Sequence, residues 1–377
     1  MTPSPPARSA PQHPHRITLA DFRAAAREVL PATAFDYLEG GAADERTVRW
    51  NAEAYERLAL LPRVLTGTSG VDTRRTLYGT ELPSPIVLAP TASHGLFHPE
   101  AEAATVRGAA ATGALTTVST FSTLTLEEIG AAATGPWWFQ LYVQRDRALT
   151  EELVHRAREA GAGACVVTVD TPVTGLRERD LRNGFALPSH GTPANLASPG
   201  GPSAGPSTGS RPGAPGSTHQ GIHDPRIDPA VGWSDLERLR TVSGLPVLAK
   251  GIVRPDDARR AAEAGIGVWM SNHGGRNLDT ATAPLSTLPA VADAVAGRVP
   301  IVVDGGIRRG TDVVKALALG ADAVAIGRPY VWGLAVDGAD GVSATLRALH
   351  RETELALALL GAPDLASLTP DLVGPAW

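Results

Sequence analysis

PVLAKGIVRPDDARRAAEAGIGVWMSNHGGRNLD, residues 246–279, is one complete phrase of the chain. A short run of apolar residues ends on Lys250 and a glycine. Pro255, Asp256 and Asp257 then open an alanine-rich stretch that Gly265 closes, which is the punctuation of a helix. A second apolar run follows and ends on Ser271, Asn272 and His273. Runs this short, continuous and rich in Val and Ile suit strands buried on both faces.

The same phrase recurs outward from residue 85. The strand candidates are PIVLAPTA (85–92), ALTTVST (114–120), WWFQLYV (137–143), ACVVTVDTP (164–172), PVLAKGI (246–252), GVWMSNH (267–273), PIVVDGG (300–306) and AVAIGRP (323–329). Between the first two, HPEAEAATVRGAAATG carries Pro99 at its start and Gly113 past its end. Eight such units predict an α/β chain closed into a (β/α)8 TIM barrel rather than an open sheet. Residues 17–60 precede the repeat and read as helices around Gly40–Gly41, a cap over one barrel end. Residues 1–16 read as a disordered tail, leaving 17–377 as a single barrel domain. The stretch 187–225 is dominated by Pro, Gly, Ser and Thr, has too little apolar surface to offset ordering, and interrupts the link after strand four. It is either a tolerated insertion or a lid over the barrel mouth, and the fourth helix is expected to resume near Trp233.

Composition narrows the function. A net charge of −5 over 377 residues argues against nucleic acid or a membrane surface as partner. The single cysteine, Cys165, lies in an apolar run and excludes a disulfide framework or a cysteine-based metal site. No run approaches the ~18 apolar residues of a membrane span, and a cytoplasmic location is expected.

In such a barrel the C-terminal strand ends converge on one mouth. Read in order they offer Pro90–Thr91–Ala92, Ser119, Gln140 with Tyr142, Thr168 with Asp170, Lys250, Ser271 with His273, Asp304–Gly305–Gly306, and Gly327–Arg328. A lone Thr, Gln or Tyr at a strand end is usually a local cap; a full ring of polar ends is harder to dismiss. DGGIRRG and IGRP, with Arg308 and Arg328, fit the phosphate site that loops seven and eight of these barrels often build. Turn glycines and solvated arginines are the plainer alternative. His273 can act as a base oriented by Asp170, and Arg276 can take a carboxylate in a bidentate fork. Lys250 is an isolated cation in an apolar mouth. Two chemistries fit: a Schiff base on Lys250, as in a barrel aldolase, or a flavin whose anionic end Lys250 balances while His273 takes a proton from a hydroxy acid. A flavin-binding scaffold needs neither base nor clamp.

SNHGGRNLD, LAKGI, TVDTP, FQLYV, FDYLEGGAADERT, LAPTASHGLFHPEAE and DGGIRRGTDVVKALALGADAVAIGRP together resemble the FMN-dependent α-hydroxy-acid oxidase/dehydrogenase family, which includes glycolate, lactate and mandelate-oxidising enzymes. The likeness runs from about Phe35 to Ala335. It implies FMN as cofactor, oxidation of an (S)-2-hydroxy acid to the 2-keto acid with O2 as acceptor, and a homotetramer. A quinone or protein acceptor, a monooxygenase-like outcome, or a larger, aromatic or biosynthetic hydroxy acid are the alternatives. By position, His273 matches the base, Asp170 its orienting carboxylate, and Tyr142 the tyrosine near the substrate hydroxyl. Arg276 and Tyr37 match the carboxylate-binding pair, with Arg177 a further arginine able to swing in. Lys250 matches the lysine at flavin N1 and O2. Ser119, Gln140, Thr168 and Ser271 match groups around the ring and ribityl chain, and the backbone of Pro90–Ala92 the flavin face near N5. Asp304, Gly306, Arg308, Gly327 and Arg328 match the ribityl-phosphate site. Three departures stand out: Asn277 where glutamine is usual, expected to alter the turn but not the chemistry; Leu38 where an aromatic is frequent; and Phe121 where glycolate oxidase has a tryptophan. With Ser93–His94 nearby, they point to a reshaped side-chain pocket.

Overall fold

The eight runs close into one barrel of parallel strands in a computed structural model that describes residues 16–67, 69–196 and 226–377. The strands are β1 (Ile86–Leu88), β2 (Thr116–Ser119), β3 (Trp137–Leu141), β4 (Cys165–Thr168), β5 (Val247–Ile252), β6 (Gly267–Met270), β7 (Ile301–Asp304) and β8 (Ala323–Ile326). Each pairs with the next, and β8 returns to β1 through Val87 opposite Ala325. Every strand lies inside its expected run and stops short of it, usually at the C-terminal end. There the chain leaves the ladder through left-handed residues such as Gly305 and Gly306 (φ 94 and 87). Of the residues expected to carry chemistry, Tyr142, Asp170, Ser271 and His273 lie beyond the strand ends, and Ser119, Gln140, Thr168, Lys250 and Asp304 lie within the strands at or near those ends.

Strand alternation divides the barrel into two cores. Inward residues Val87, Leu115, Trp138, Val166, Leu248, Trp269, Val302 and Ala325 fill the interior. Outward residues such as Leu88, Val118, Phe139, Val167, Val268 and Val303 pack under the helices. Each large apolar side chain buried this way contributes about 1.5–3 kcal/mol. A hairpin of residues 75–77 and 80–82 adds Leu77 and Leu82 to the interior core. The sequence reading missed it, because strands of three residues show no alternation. Its turn, Tyr78–Gly79, has positive φ at both positions (46 and 78), as tight hairpins need.

The helix after β4 resumes at Trp233, as the sequence predicts, and runs to Ser243. The expected cap divides in two. Helices Ala32–Glu39 and Arg46–Glu56 lie at the strand C-termini, where Ala42 N–H donates to Gly275 O (2.8 Å) and Ala43 N–H to Leu176 O (2.9 Å). Asp279, from the turn after β6, accepts from the N–H of Thr47 (2.8 Å) and so caps the second of these helices from outside. Helix Leu19–Val29 does not cover the mouth. Its apolar face of Leu19, Phe22 and Ala26 packs on the long last helix, Arg328–Leu360. The tail expected over 1–16 falls, up to residue 15, outside the described residues, as does 197–225 of the expected lid.

Candidate active site

Period two builds a polar layer on top of the interior core. Two residues beyond Trp138, Val166, Leu248, Trp269 and Val302 come Gln140, Thr168, Lys250, Ser271 and Asp304, all buried. A polar group buried this deeply has to be hydrogen-bonded. Ser119 donates to Gln140 Oε1 (3.1 Å), and Gln140 Nε2 to Thr168 Oγ1 (2.9 Å). Across the mouth, Lys250 Nζ donates to Ser271 Oγ (3.0 Å), which donates to Asp304 Oδ1 (2.8 Å). Trp269 Nε1 supports the other oxygen of Asp304 (2.9 Å), and Lys250 Nζ lies 3.5 Å from it. The lysine is therefore not the isolated cation the sequence suggests. A charge so paired acts as a fixed positive pole, a poor match for a Schiff-base nucleophile. Ser271 also accepts from the backbone N–H of His273 (2.9 Å). Its one donor and two acceptor sites are then all in use, so its hydroxyl links Lys250 to the base.

The base stands on strained backbone. His273, Gly274 and Gly275 have φ of 58, 62 and 76; a side chain in this region costs about 1–2 kcal/mol, and only the two glycines avoid it. The strain aims the imidazole between β4 and β3. Its Nδ1 lies 2.9 Å from Asp170 Oδ1, which fixes the tautomer with Nδ1 protonated and leaves the Nε2 lone pair free to act. That Nε2 lies 3.3 Å from the hydroxyl of Tyr142. Burial works against the Asp170 carboxylate, but the charge and hydrogen bond of His273, with Lys250 behind, outweigh it and hold its pKa below the ordinary value. Burial pushes the Tyr142 phenol up, so it stays a neutral donor or acceptor. Gly251 makes the approach possible: a Cβ there would sit 2.5 Å from that of Asp170.

Two residues at this point went unread in the sequence or were read too weakly. Thr171 donates to Asp170 Oδ1 (3.1 Å). Asn277 donates to Thr171 Oγ1 (2.7 Å) and to the carbonyl of Asp170 (3.0 Å). The departure at 277 therefore does more than shape its own turn. It ties the β6 turn to the strand end that carries the base's partner.

The carboxylate clamp is assembled from three places in the chain. Arg276 follows the base, Tyr37 comes from the cap and Arg177 from the loop after β4. The guanidinium carbons of Arg276 and Arg177 lie 5.1 and 5.4 Å from the Tyr37 ring, and Phe185 stacks on that ring at 4.6 Å. Arg276 is seated by the carbonyls of Tyr37 and Gly40, both 2.8 Å from its Nη1. Burial, and next the charge of Arg177, pull its pKa down to about 9. Arg177 is half-buried and lies 3.4 Å from the Asp180 carboxylate, and the two guanidiniums beside one ring favour a further anion there. The loop bearing Arg177 is pinned to the cap by Arg179, which reaches Glu45 (2.5 Å) and Asp36 (3.3 Å). Phe121 faces Tyr142 with ring centroids 5.0 Å apart and Arg226 over its ring at 5.5 Å, an apolar wall beside the base.

The phosphate end is less as expected. Arg328 gives one hydrogen bond each from Nε, Nη1 and Nη2 to the carbonyls of Leu38 (3.0 Å), Gly274 (3.1 Å) and Gly40 (3.1 Å), which leaves one N–H on each Nη for a phosphate. It locks the cap to the β6 turn. The start of helix Arg328–Leu360, with Gly327 as N-cap, has no side-chain cap. Such a helix end carries about half a positive charge and N–H groups that suit a phosphate. Arg308, on Trp332 at 5.2 Å, is buried, which lowers its pKa. Thr91 turns its hydroxyl away from the mouth, leaving backbone at Pro90–Ala92. Ser93 and His94, which the sequence places near the side-chain pocket, are buried. Among the described residues no cluster of His, Cys, Asp and Glu could hold a metal ion.

The donor set fits FMN. Uncapped helix N–H groups and Arg308 suit its phosphate, and the buried layer of alternating donors and acceptors around Lys250 suits the heteroatom edge of its ring. Comparison with known proteins agrees. Residues 26–375 match the family model described as FMN-dependent dehydrogenase. The chain is 46% identical over 358 residues to an L-lactate oxidase of Roseobacter sp. (strain GAI101), covering 95% of this chain and 94% of that protein. It is 42% identical over 354 residues to the peroxisomal (S)-2-hydroxy-acid oxidase GLO4 of Oryza sativa subsp. japonica, covering 94% of each. A crystal structure of mandelate oxidase superimposes with a TM-score of 0.86 at 40% identity, covering 96% of this chain and 98% of that one.

Proposed function

The chain belongs to the family of FMN-dependent dehydrogenases, and from that premise we propose that it works as an oxidase of (S)-2-hydroxy acids with apolar side chains. The products are the 2-keto acid and, from O2, hydrogen peroxide. The observation that carries the reading is the free Nε2 of His273, held by Asp170 and set beside Tyr142 and the Arg276–Arg177 pair.

The substrate carboxylate enters between Arg276 and Arg177 and relieves their mutual repulsion, which fixes the hydroxyl toward Nε2 of His273. That nitrogen takes the hydroxyl proton, and the Asp170 carboxylate stabilises the imidazolium that results. The Tyr142 phenol holds the hydroxyl oxygen in line. FMN, when bound, would supply a two-electron acceptor for the substrate's α-hydrogen, with O2 as the final oxidant. Lys250 would hold the polar edge of the ring with a fixed positive charge, and Arg308 with the start of helix Arg328–Leu360 would hold the phosphate.

Phe121 supports the choice of an apolar side chain, since each added methylene against such a wall is worth about 1–3 kcal/mol. An oxygen electrode with peroxide detection, run on glycolate, lactate, 2-hydroxyoctanoate and both enantiomers of mandelate, tests this. The expected result is one peroxide per keto acid and higher kcat/KM for the (S)-acids with hydrocarbon side chains. Glycolate as best substrate contradicts the side-chain assignment, and keto acid without peroxide contradicts the acceptor.

We further propose a cytoplasmic homotetramer. The family resemblance supports the assembly, and a lone buried thiol, Cys165, suits a reducing compartment. Light scattering after size exclusion, and cell fractionation, decide these two points.

A further inference from the structure

Behind the β1 strand end, away from substrate, lies a buried chain of side chains that no step above uses. Thr105, on helix Ala101–Ala110, has its hydroxyl 2.9 Å from Nδ1 of His94. Nε2 of His94 lies 2.5 Å from the Thr91 hydroxyl, and Thr91 lies 2.6 Å from the hydroxyl of Tyr330. Tyr330, in the first turn of helix Arg328–Leu360, reaches the carbonyl of Ala89 at 2.9 Å. His94 and Tyr330 are almost wholly buried, at 3% and 0% exposure.

The last link fixes the direction of the others as far as Nε2 of His94. A carbonyl can only accept, so Tyr330 donates its one proton to Ala89. Its oxygen then accepts from Thr91, whose own proton is thereby used. Thr91 must accept from His94, so Nε2 carries the hydrogen. Nδ1, left with a lone pair, accepts from Thr105. Thr105 could otherwise turn to accept from Nδ1, and it is burial that keeps the imidazole neutral, lowering the pKa of His94 against a weaker pull from Glu102. The Glu102 carboxylate is occupied by three backbone N–H groups, of His94 (3.0 Å), Thr123 (3.0 Å) and Leu124 (3.2 Å).

We propose that His94, as its neutral Nε2–H tautomer, is a positioning residue that fixes the Ala89–Ala92 strand end where it meets the flavin. The proposal rests on the assignment of Pro90–Ala92 to the flavin face. The relay fastens that backbone at Thr91 and again at Ala89. It shares Tyr330 with the helix whose start takes the phosphate, so one set of hydrogen bonds registers the ring wall against the phosphate site. Ser93 N–H, donating to Phe121 O at 3.0 Å, extends the registration to the substrate wall.

The test compares His94→Leu, which keeps volume and removes both hydrogen bonds, with His94→Gln, whose amide can donate to Thr91 and accept from Thr105. FMN affinity of the apoprotein, flavin absorption spectrum and midpoint potential are read beside kcat and KM. For His94→Leu we expect FMN binding about tenfold weaker, a shifted flavin spectrum and a lower kcat, with KM for the hydroxy acid within about twofold. His94→Gln should return FMN affinity to within about threefold of the parent. Tyr330→Phe, which keeps the ring and removes the terminal donor, should reproduce the weakening and covers the case in which His94→Leu does not fold. Parental FMN affinity and spectrum in Tyr330→Phe or His94→Leu overturns the proposal, as does a glutamine variant no better than leucine. A parent that binds FMN but oxidises no hydroxy acid would refute the proposed function while leaving this relay open to the same FMN measurements.

Discussion

The two halves of the barrel mouth use arginine in opposite ways. At the base end, Arg276 spends one nitrogen on carbonyls and keeps the rest of its fork beside Tyr37 and Arg177. At the phosphate end, Arg328 gives Nε, Nη1 and Nη2 to the carbonyls of Leu38, Gly274 and Gly40. The first is a clamp waiting for an anion. The second is a rivet through the cap and the β6 turn, with one N–H left on each Nη beside the backbone N–H groups and Arg308. An arginine in a motif thus identifies a site without saying whether its charge is offered to a ligand or consumed by the fold.

The comparison can be broken at several points. Asp170→Asn should cut kcat by about a hundredfold or more, because the amide no longer fixes the Nδ1–H tautomer or stabilises the imidazolium. The same variant carries a pH signature. The folded-state pKa of Asp170 is depressed, so its stabilisation is present above the unfolded value of about 3.9 and lost as pH falls through the folded value. The gap in Tm between parent and variant should close as pH falls below about 4, and a gap independent of pH contradicts the assignment. Arg276→Lys keeps the charge and loses the fork. It should lower kcat/KM by about a hundredfold, mainly through KM, and a change confined to kcat would place Arg276 outside the clamp.

The phosphate end is sharpened by a pair of variants. Arg308→Met should weaken FMN by about tenfold with little change in the Tm of the apoprotein. Arg328→Met should lower that Tm by a few degrees, since the part-buried carbonyls of Leu38 and Gly274 lose a donor at about 1–3 kcal/mol each, while Gly40 keeps Arg276. The reverse pattern would return Arg328 to the phosphate. Arg179→Ala is the mildest. Its half-buried ion pairs with Glu45 and Asp36 hold the loop of Arg177 to the cap, so KM should rise only about two- to fivefold, more at low salt, with kcat unchanged.

Much of this was legible in the sequence, for physical reasons that differ by element. The barrel strands announce themselves because burial on both faces leaves no choice but apolar residues. The polar layer is legible because Gln140, Lys250, Ser271 and Asp304 break that rule at one end only. His273 and Asp170 follow from the same contrast. The hairpin at 75–82 was hidden by its length, and the rivet of Arg328 because its partners are carbonyls, which every residue has. Thr171 and Asn277 were missed as supports of Asp170, since a short polar side chain reveals its partner only when distant strands are brought side by side. The partners of His94 were hidden for a related reason: Thr105 and Thr91 meet its ring only once helix and strand are packed.

The central claim is that Nε2 of His273 takes the substrate's proton. Anaerobic rapid mixing of the FMN-loaded parent and His273→Gln with a saturating (S)-2-hydroxy acid, followed at the flavin band, tests it most directly. The account predicts that both proteins are yellow, that the parent bleaches, and that the variant bleaches about a thousandfold more slowly. Bleaching of His273→Gln at the parental rate would contradict it.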